Sequence, residues 1–175
     1  MNTLSFPKII APLKFYAVVP TADWVIRMIH ANANTVQLRC KDLAGKALYD
    51  EIARCVKAAQ GSQTQLFIND HWQAAIDAGA YGVHLGQEDL DTADLNAIRN
   101  AGLRLGISTH SDAELARALA LQPSYVAAVR FFQPQPKKCP QPHKAWNACG
   151  IMSNKQAKRP LWQSAALIYP TPKQY

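Results

Sequence analysis

Residues 65–86 read Gln65-Leu66-Phe67-Ile68-Asn69-Asp70-His71-Trp72-Gln73-Ala74-Ala75-Ile76-Asp77-Ala78-Gly79-Ala80-Tyr81-Gly82-Val83-His84-Leu85-Gly86. Two short apolar runs, 65–69 and 82–86, have the length and β-branched or aromatic content of strands. Between them Trp72, Ala75, Ile76 and Ala78 recur at helical spacing, and Gly79 punctuates the end. A strand, a helix and a strand in immediate succession form a crossover unit, which joins parallel strands.

The same unit repeats in both directions. Further strands are predicted at Phe15 to Val19, Thr35 to Cys40, Leu103 to Ser108 and Tyr125 to Ala127. Helical patterning lies between them: Trp24, Ile26, Met28 and Ile29 after a cap at Thr21 or Asp23; Leu48, Ile52, Val56 and Ala59; Leu95, Ile98 and Ala101; Leu115, Ala118 and Leu119 after a cap at Ser111 or Asp112. Five strand-helix units and a sixth strand define an α/β protein. A doubly wound sheet and a (β/α)8 barrel both fit, and both place ligands at the carboxyl ends of the strands.

The chain has 175 residues, 49% of them hydrophobic and 18% charged, enough for one domain with a sizeable core. No run of eighteen apolar residues suggests a membrane span, and Met1 to Pro7 lacks the basic-then-apolar pattern of a secretory signal, so a cytoplasmic protein is expected. Cys40, Cys55, Cys139 and Cys149 have no CxxC spacing and do not cluster with histidines, which predicts reduced thiols and no zinc site. The net charge of +7 is unevenly spread. Residues 1–127 carry eleven Lys or Arg against twelve Asp or Glu, whereas residues 128–175 carry eight basic residues, no acid and seven of the eleven prolines. Two regions follow: an α/β domain over 1–127 and a basic, Pro-rich, irregular tail over 128–175.

Polar residues interrupt the strands where a buried parallel sheet should be apolar. Gln37, Arg39 and Lys41 share one face by period-two alternation, and two cations with an amide suit a phosphate or diphosphate. A solvated edge strand with salt bridges is the competing explanation. Asn69 and Asp70 close the third strand, and the fourth carries His84 into Gly86-Gln87-Glu88-Asp89. Asp70 and Asp89 together suit Mg²⁺, which takes one or two carboxylates plus phosphate oxygens; each alone also reads as a helix N-cap. Ser108 and Thr109 offer hydroxyls after the fifth strand, again with capping as the rival. His30, His71 and His143 show no constellation and read as surface residues.

Four motifs in order, Gln37-Leu38-Arg39-Cys40-Lys41, Phe67-Ile68-Asn69-Asp70, Gly82 to Leu90, and Gly106-Ile107-Ser108, resemble the thiamine phosphate synthase family over about residues 15–127. The resemblance implies a (β/α)8 barrel and a transferase that couples 4-amino-2-methyl-5-(diphosphooxymethyl)pyrimidine with a thiazole phosphate, releasing pyrophosphate. It further implies that Gln37, Arg39, Lys41, Asn69 and Ser108 hold the pyrimidine diphosphate, that His84 and Gln87 stand behind them, and that Asp70 and Asp89 bind Mg²⁺. No protein nucleophile is required. A homo-oligomer is compatible with this resemblance.

The family's later loops, Gly-x-x-Phe-Pro-Thr-x-Thr-Lys and Ala-Ile-Gly-Gly-Ile, are missing after Ala128. Back-translated and read in the frame that starts at each codon's third base, the tail permits Gly-Ala-Val-Phe-Pro-Thr-Pro-Thr-Lys-Lys-Met-Pro over 128–140 and Ala-Ile-Gly-Gly-Ile over 162–167. A frameshift near Ala127, in the gene or its sequencing, is therefore expected. The barrel would then be incomplete, since eight units take about 250 residues and seldom fewer than about 200. Strands one and six would have open edges that the tail lacks the periodicity to cover, and synthase activity would be low or absent. Three rivals remain: a thiazole tautomerase of the same family, which the diphosphate-suited residues disfavour; an inactive fragment; and a basic nucleic-acid-binding protein, for which the tail carries charge but no module.

Overall fold

The computed structural model describes residues 5–129 and 166–170. Six parallel strands follow one another in the sheet: β1 (Tyr16–Val19), β2 (Thr35–Leu38), β3 (Gln65–Asn69), β4 (Gly82–Leu85), β5 (Arg104–Thr109) and β6 (Tyr125–Val129). The crossovers are α1 (Ala22–His30), α2 (Gly45–Ala59), α3 (Trp72–Asp77), the pair α4 (Gln87–Thr92) and α5 (Leu95–Asn100), and α6 (Asp112–Ala120). Spatial order equals chain order, so the sheet is singly wound. A doubly wound sheet reverses at a switch point, and that alternative is thereby removed.

Alternation along each strand divides the apolar residues between two cores. Val36, Leu38, Leu66, Ile68, Val83, Leu85, Leu105, Ile107 and Val126 pack outward against Ala22, Val25, Ile52, Cys55, Ala75, Ile98 and Ala118 of the helices. The opposite face buries Phe67, Tyr125 and Ala127, with Tyr16 and Tyr81 against them. Burial on both faces explains why the strands read as nearly unbroken apolar runs.

The sheet is strongly curled. Five inter-strand gaps of about 4.8 Å would separate β1 from β6 by about 24 Å in a flat sheet, yet the hydroxyls of Tyr16 and Tyr125 meet at 2.6 Å. Glycines make room inside the curve. A Cβ on Gly106 would lie 2.2 Å from Tyr125 Cζ, and one on Gly82 would lie 2.6 Å from Phe67 Cε1 and 2.7 Å from the Arg104 carbonyl oxygen. The result is a half-barrel of the (β/α)8 type with its helices outside.

The amino-terminal segment crosses the floor of the half-barrel. Ser124 Oγ donates to the Pro7 carbonyl (2.6 Å), the Ile10 amide to Tyr81 Oη (2.9 Å) and Gln65 Nε2 to the Ala11 carbonyl (3.1 Å), while Phe6 is buried beneath Arg99.

Two local differences from the sequence expectation stand out. The stretch after β4 turns at Gly86 into a short helix, α4, which the polar run Gln87-Glu88-Asp89 had concealed. The edge of β6, expected to be open, is covered by β7 (Ala166–Pro170), paired antiparallel with Val126 opposite Tyr169 and Ala127 opposite Ile168. An edge strand presents unpaired backbone groups to any extended segment, and Ala166-Leu167-Ile168-Tyr169 is such a segment. A complete (β/α)8 ring is parallel throughout, so β7 is not its seventh stave. Among the described residues the sheet stays open between β1 and β7. The rest of the tail, with Cys139, Cys149, His143 and all of the two shifted-frame segments but residues 128–129 and 166–167, lies outside the described residues. Cys40 and Cys55 are buried free thiols.

Candidate active site at the carboxyl ends of the strands

The inward face of β2 to β5 carries Gln37, Asn69, His84 and Ser108 toward the carboxyl ends of the strands, because these positions share the alternation that buries Phe67 and Tyr125. Register fixes their neighbours: Gln37 lies opposite Phe67, and Asn69 opposite His84. Gln37 is buried within a central strand, which removes the solvated-edge explanation, and its side-chain nitrogen has no hydrogen-bond partner among the described residues. Leaving a buried amide unpaired costs about 1–3 kcal/mol, as expected of a group that awaits a ligand.

Strand β2 ends at Leu38, so the alternation expected to carry Gln37, Arg39 and Lys41 onto one strand face stops short of the cations. Arg39 is the first residue beyond it; its amide donates to the Val19 carbonyl at 2.8 Å, and its exposed guanidinium sends positive charge toward Asp70 and His84. Lys41 lies in the following loop, exposed, with no hydrogen bond or ion pair among the described residues. Nothing in the structure brings it into the cleft.

Asp70 and Asp89 come together. Asp70 has left-handed backbone (φ +61°), which Asp tolerates better than most residues, and its amide donates to the His84 carbonyl at 3.0 Å. Its carboxylate accepts from Asn69 Nδ2. Burial, then the charge of Asp89 and a hydrogen bond with it, push the Asp70 carboxyl up to about 6; His71 and Arg39 oppose the rise. Asp89 is the third residue of α4 and folds back over Gly86. Neither acid caps a helix: the caps of α3 and α4 are His71 and Gly86, and side-chain capping falls to Asp94 and Ser111 elsewhere. The bland explanation of both acids is thus removed.

One histidine differs from the sequence expectation. His71 is not a plain surface residue: its Nε2–H donates to the Cys40 carbonyl at 3.1 Å and its charge acts on Asp70. His84 is buried, with Nδ1 2.7 Å from Tyr125 Oη and Nε2 2.7 Å from Ser108 Oγ; burial, helped by Arg39, lowers its pKa to about 4 and keeps the ring neutral. Gln87 reaches across from α4, its Nε2 donating to the Ser108 carbonyl at 2.7 Å while its Oε1 is buried without a partner among the described residues. Thr109 faces the other way and donates to the Ala127 carbonyl at 3.4 Å. Tyr16 and Tyr125 escaped notice in the sequence, although a tyrosine in register with Gly106 is the mark of a ring that needs space.

Among the described residues no group of three or more His, Cys, Asp or Glu side chains gathers as for a metal held entirely by protein. The donor set that is present, two adjacent carboxylates with an amide and a guanidinium nearby, fits a hard cation that shares its coordination with phosphate oxygens. No described helix is long and apolar enough to cross a membrane.

A singly wound half-barrel with paired carboxylates, an arginine and a hydroxyl at its strand ends defines the class of barrel-type enzymes that bind anionic ligands at the carboxyl face. Comparison with known proteins narrows this. The sequence matches the thiamine monophosphate synthase family over residues 15–158, further along the chain than the motifs themselves reach. The chain belongs to that family. It is 67% identical over 137 residues to the thiamine-phosphate synthase of Neisseria meningitidis serogroup B, covering 78% of this chain and 67% of that protein. It is 51% identical over 138 residues to the Serratia proteamaculans thiamine-phosphate synthase, covering 79% and 65%. A solved thiamine phosphate pyrophosphorylase from Pyrococcus furiosus shares the fold, with TM-score 0.59 and 23% identity over 69% of this chain and 61% of that one. The match spans about two thirds of the length of the curated relatives.

Proposed function

We propose that the carboxyl-end cleft holds a Mg²⁺-bridged diphosphate, and that the reaction this site is built for joins 4-amino-2-methyl-5-(diphosphooxymethyl)pyrimidine to a thiazole phosphate in the cytoplasm, with release of pyrophosphate. The observation that carries this reading is the pairing of Asp70 with Asp89, neither of them a helix cap, beside the charge of Arg39. Asp70 and Asp89 would hold the metal, which supplies neutralisation of charge gathering on the leaving diphosphate.

The remaining work belongs to side chains. Arg39 supplies positive charge to the diphosphate, and Lys41, two residues further on, is the second cation of the same motif. Asn69 holds the Asp70 carboxylate in place. Gln37 offers an unused amide N–H, and Ser108 a hydroxyl. Phe67 and Tyr125 exclude water from the floor, which protects an electron-poor pyrimidine carbon once pyrophosphate departs. No side chain need act as nucleophile.

The later phosphate loops are missing from the sequence as written, so turnover should be low even where the diphosphate half-site forms. Calorimetric titration of the full chain with inorganic pyrophosphate tests the first claim. Binding should require Mg²⁺ and weaken at least about tenfold in Asp70→Asn and Asp89→Asn; undiminished binding by both variants would refute it. Turnover of both substrates tests the second. A chain with its reading frame restored should far outpace the present one, and equal rates would refute incompleteness.

A further inference from the structure

Four side chains from four strands form one unbroken hydrogen-bonded line through the half-barrel: Tyr16 Oη to Tyr125 Oη (2.6 Å), Tyr125 Oη to His84 Nδ1 (2.7 Å), and His84 Nε2 to Ser108 Oγ (2.7 Å). A neutral imidazole has one donor and one acceptor nitrogen, and each hydroxyl has one proton. The His84 tautomer therefore sets the direction of the line. If Ser108 donated to His84 Nε2, then His84 Nδ1–H would donate to Tyr125, and the Tyr16–Tyr125 bond could run either way; whichever of the two hydroxyls does not donate along it keeps a proton with no acceptor among the described residues. In the opposite direction Tyr16 donates to Tyr125, Tyr125 to His84 Nδ1 and His84 Nε2–H to Ser108, so that every interior proton is used.

We infer that this line is a directional relay that fixes His84 as its Nε2–H tautomer and so leaves the Ser108 proton free to donate to an anionic phosphate oxygen of the ligand. The reverse direction would present a lone pair to that oxygen and repel it. Ser108 touches the ligand; Tyr16, Tyr125 and His84 are positioning residues that act through it. Gly106 belongs to the same device, since its missing side chain is what admits the Tyr125 ring beside His84. The tautomer follows from the hydrogen-bond geometry, whereas the role of the Ser108 proton rests on the diphosphate reading above.

The two parts separate experimentally. In full chain labelled with ¹⁵N-histidine, NMR reads which ring nitrogen carries the proton, and His84→Gln identifies the His84 signals. The expected result at neutral pH is a neutral ring protonated at Nε2. Tyr125→Phe keeps the ring that packs against Phe67 and removes only the donor, so the Nδ1–H tautomer should become populated. A wild-type ring protonated at Nδ1, or a tautomer unmoved by Tyr125→Phe, overturns the relay. Titration with Mg²⁺ and pyrophosphate reads the second part. Ser108→Ala should weaken binding about tenfold and Tyr125→Phe about threefold or more, as loss of a hydrogen bond to a charged group predicts. With the expected tautomer, unchanged affinity in both variants overturns the role given to the Ser108 proton. The expected tautomer in a chain that binds no pyrophosphate upholds the relay and overturns the diphosphate reading.

Discussion

Asp70 and His84 are neighbours whose ionisation is perturbed in ways that oppose each other in their effect on stability. The Asp70 carboxyl rises to about 6 from an ordinary value near 3.9, so the folded state prefers its protonated form. Its contribution to stability is present below about pH 4 and is lost as pH rises through about 6. His84 falls to about 4 from near 6.5, so the folded state resists protonating it, and that term costs stability as pH drops from about 6.5 to about 4. Melting temperatures measured in metal-free buffer from pH 4 to 7.5 should show Asp70→Asn gaining on the wild type as pH rises, with most of the gain complete by about pH 7. A constant offset between the two curves would exclude the Asp70 assignment.

At the level of elements, the strands were legible because burial on both faces writes them as short apolar runs between turn residues; Gln65 to Asn69 and Gly82 to Leu85 lie within the runs read from sequence. Helix α4 was hidden because Gln87–Thr92 has a single apolar residue, Leu90, to mark its buried side. Arg39 and Lys41 were assigned to a strand face by a period that ends with β2. The Tyr16–Tyr125–His84–Ser108 line could not be read at all, because it depends on how far the sheet curls. Packing inside that curl gives a prediction: Gly106→Ala should lose about 1–3 kcal/mol of stability by overpacking against Tyr125. Combined with Tyr125→Leu it should lose less than the two changes summed, because the shared clash is relieved; chemical denaturation of the four proteins measures the difference. On the outer side, Asp94 accepts from the amides of Asn96 and Ala97 at the start of α5, so Asp94→Ala should cost about 1 kcal/mol.

At the scale of the molecule, the side left open between β1 and β7 among the described residues is the dominant feature. The edge of β1, unpaired among the described residues, carries exposed Val18 and adjoins exposed Phe15, a combination that invites edge-to-edge pairing. The full chain should therefore form larger species as its concentration rises in light scattering, and Phe15→Lys should suppress them without unfolding the half-barrel. An unchanged distribution would place the association elsewhere. The origin of the incomplete ring is testable in the gene itself: the frame reading requires Lys138 encoded AAA, Gln163 encoded CAA and a Leu167 codon beginning TT. Any other codon at Lys138 or Gln163 rules it out.

The meeting of Tyr16 with Tyr125 also has a bearing on biogenesis. These residues lie 109 positions apart, so the bend of the sheet is fastened between β1 and β6, the first and sixth of the described strands to leave the ribosome. Until Tyr125 has been synthesised and has emerged, the earlier strands can pair but cannot lock their arc, and the niche they outline takes its shape only as β6 arrives.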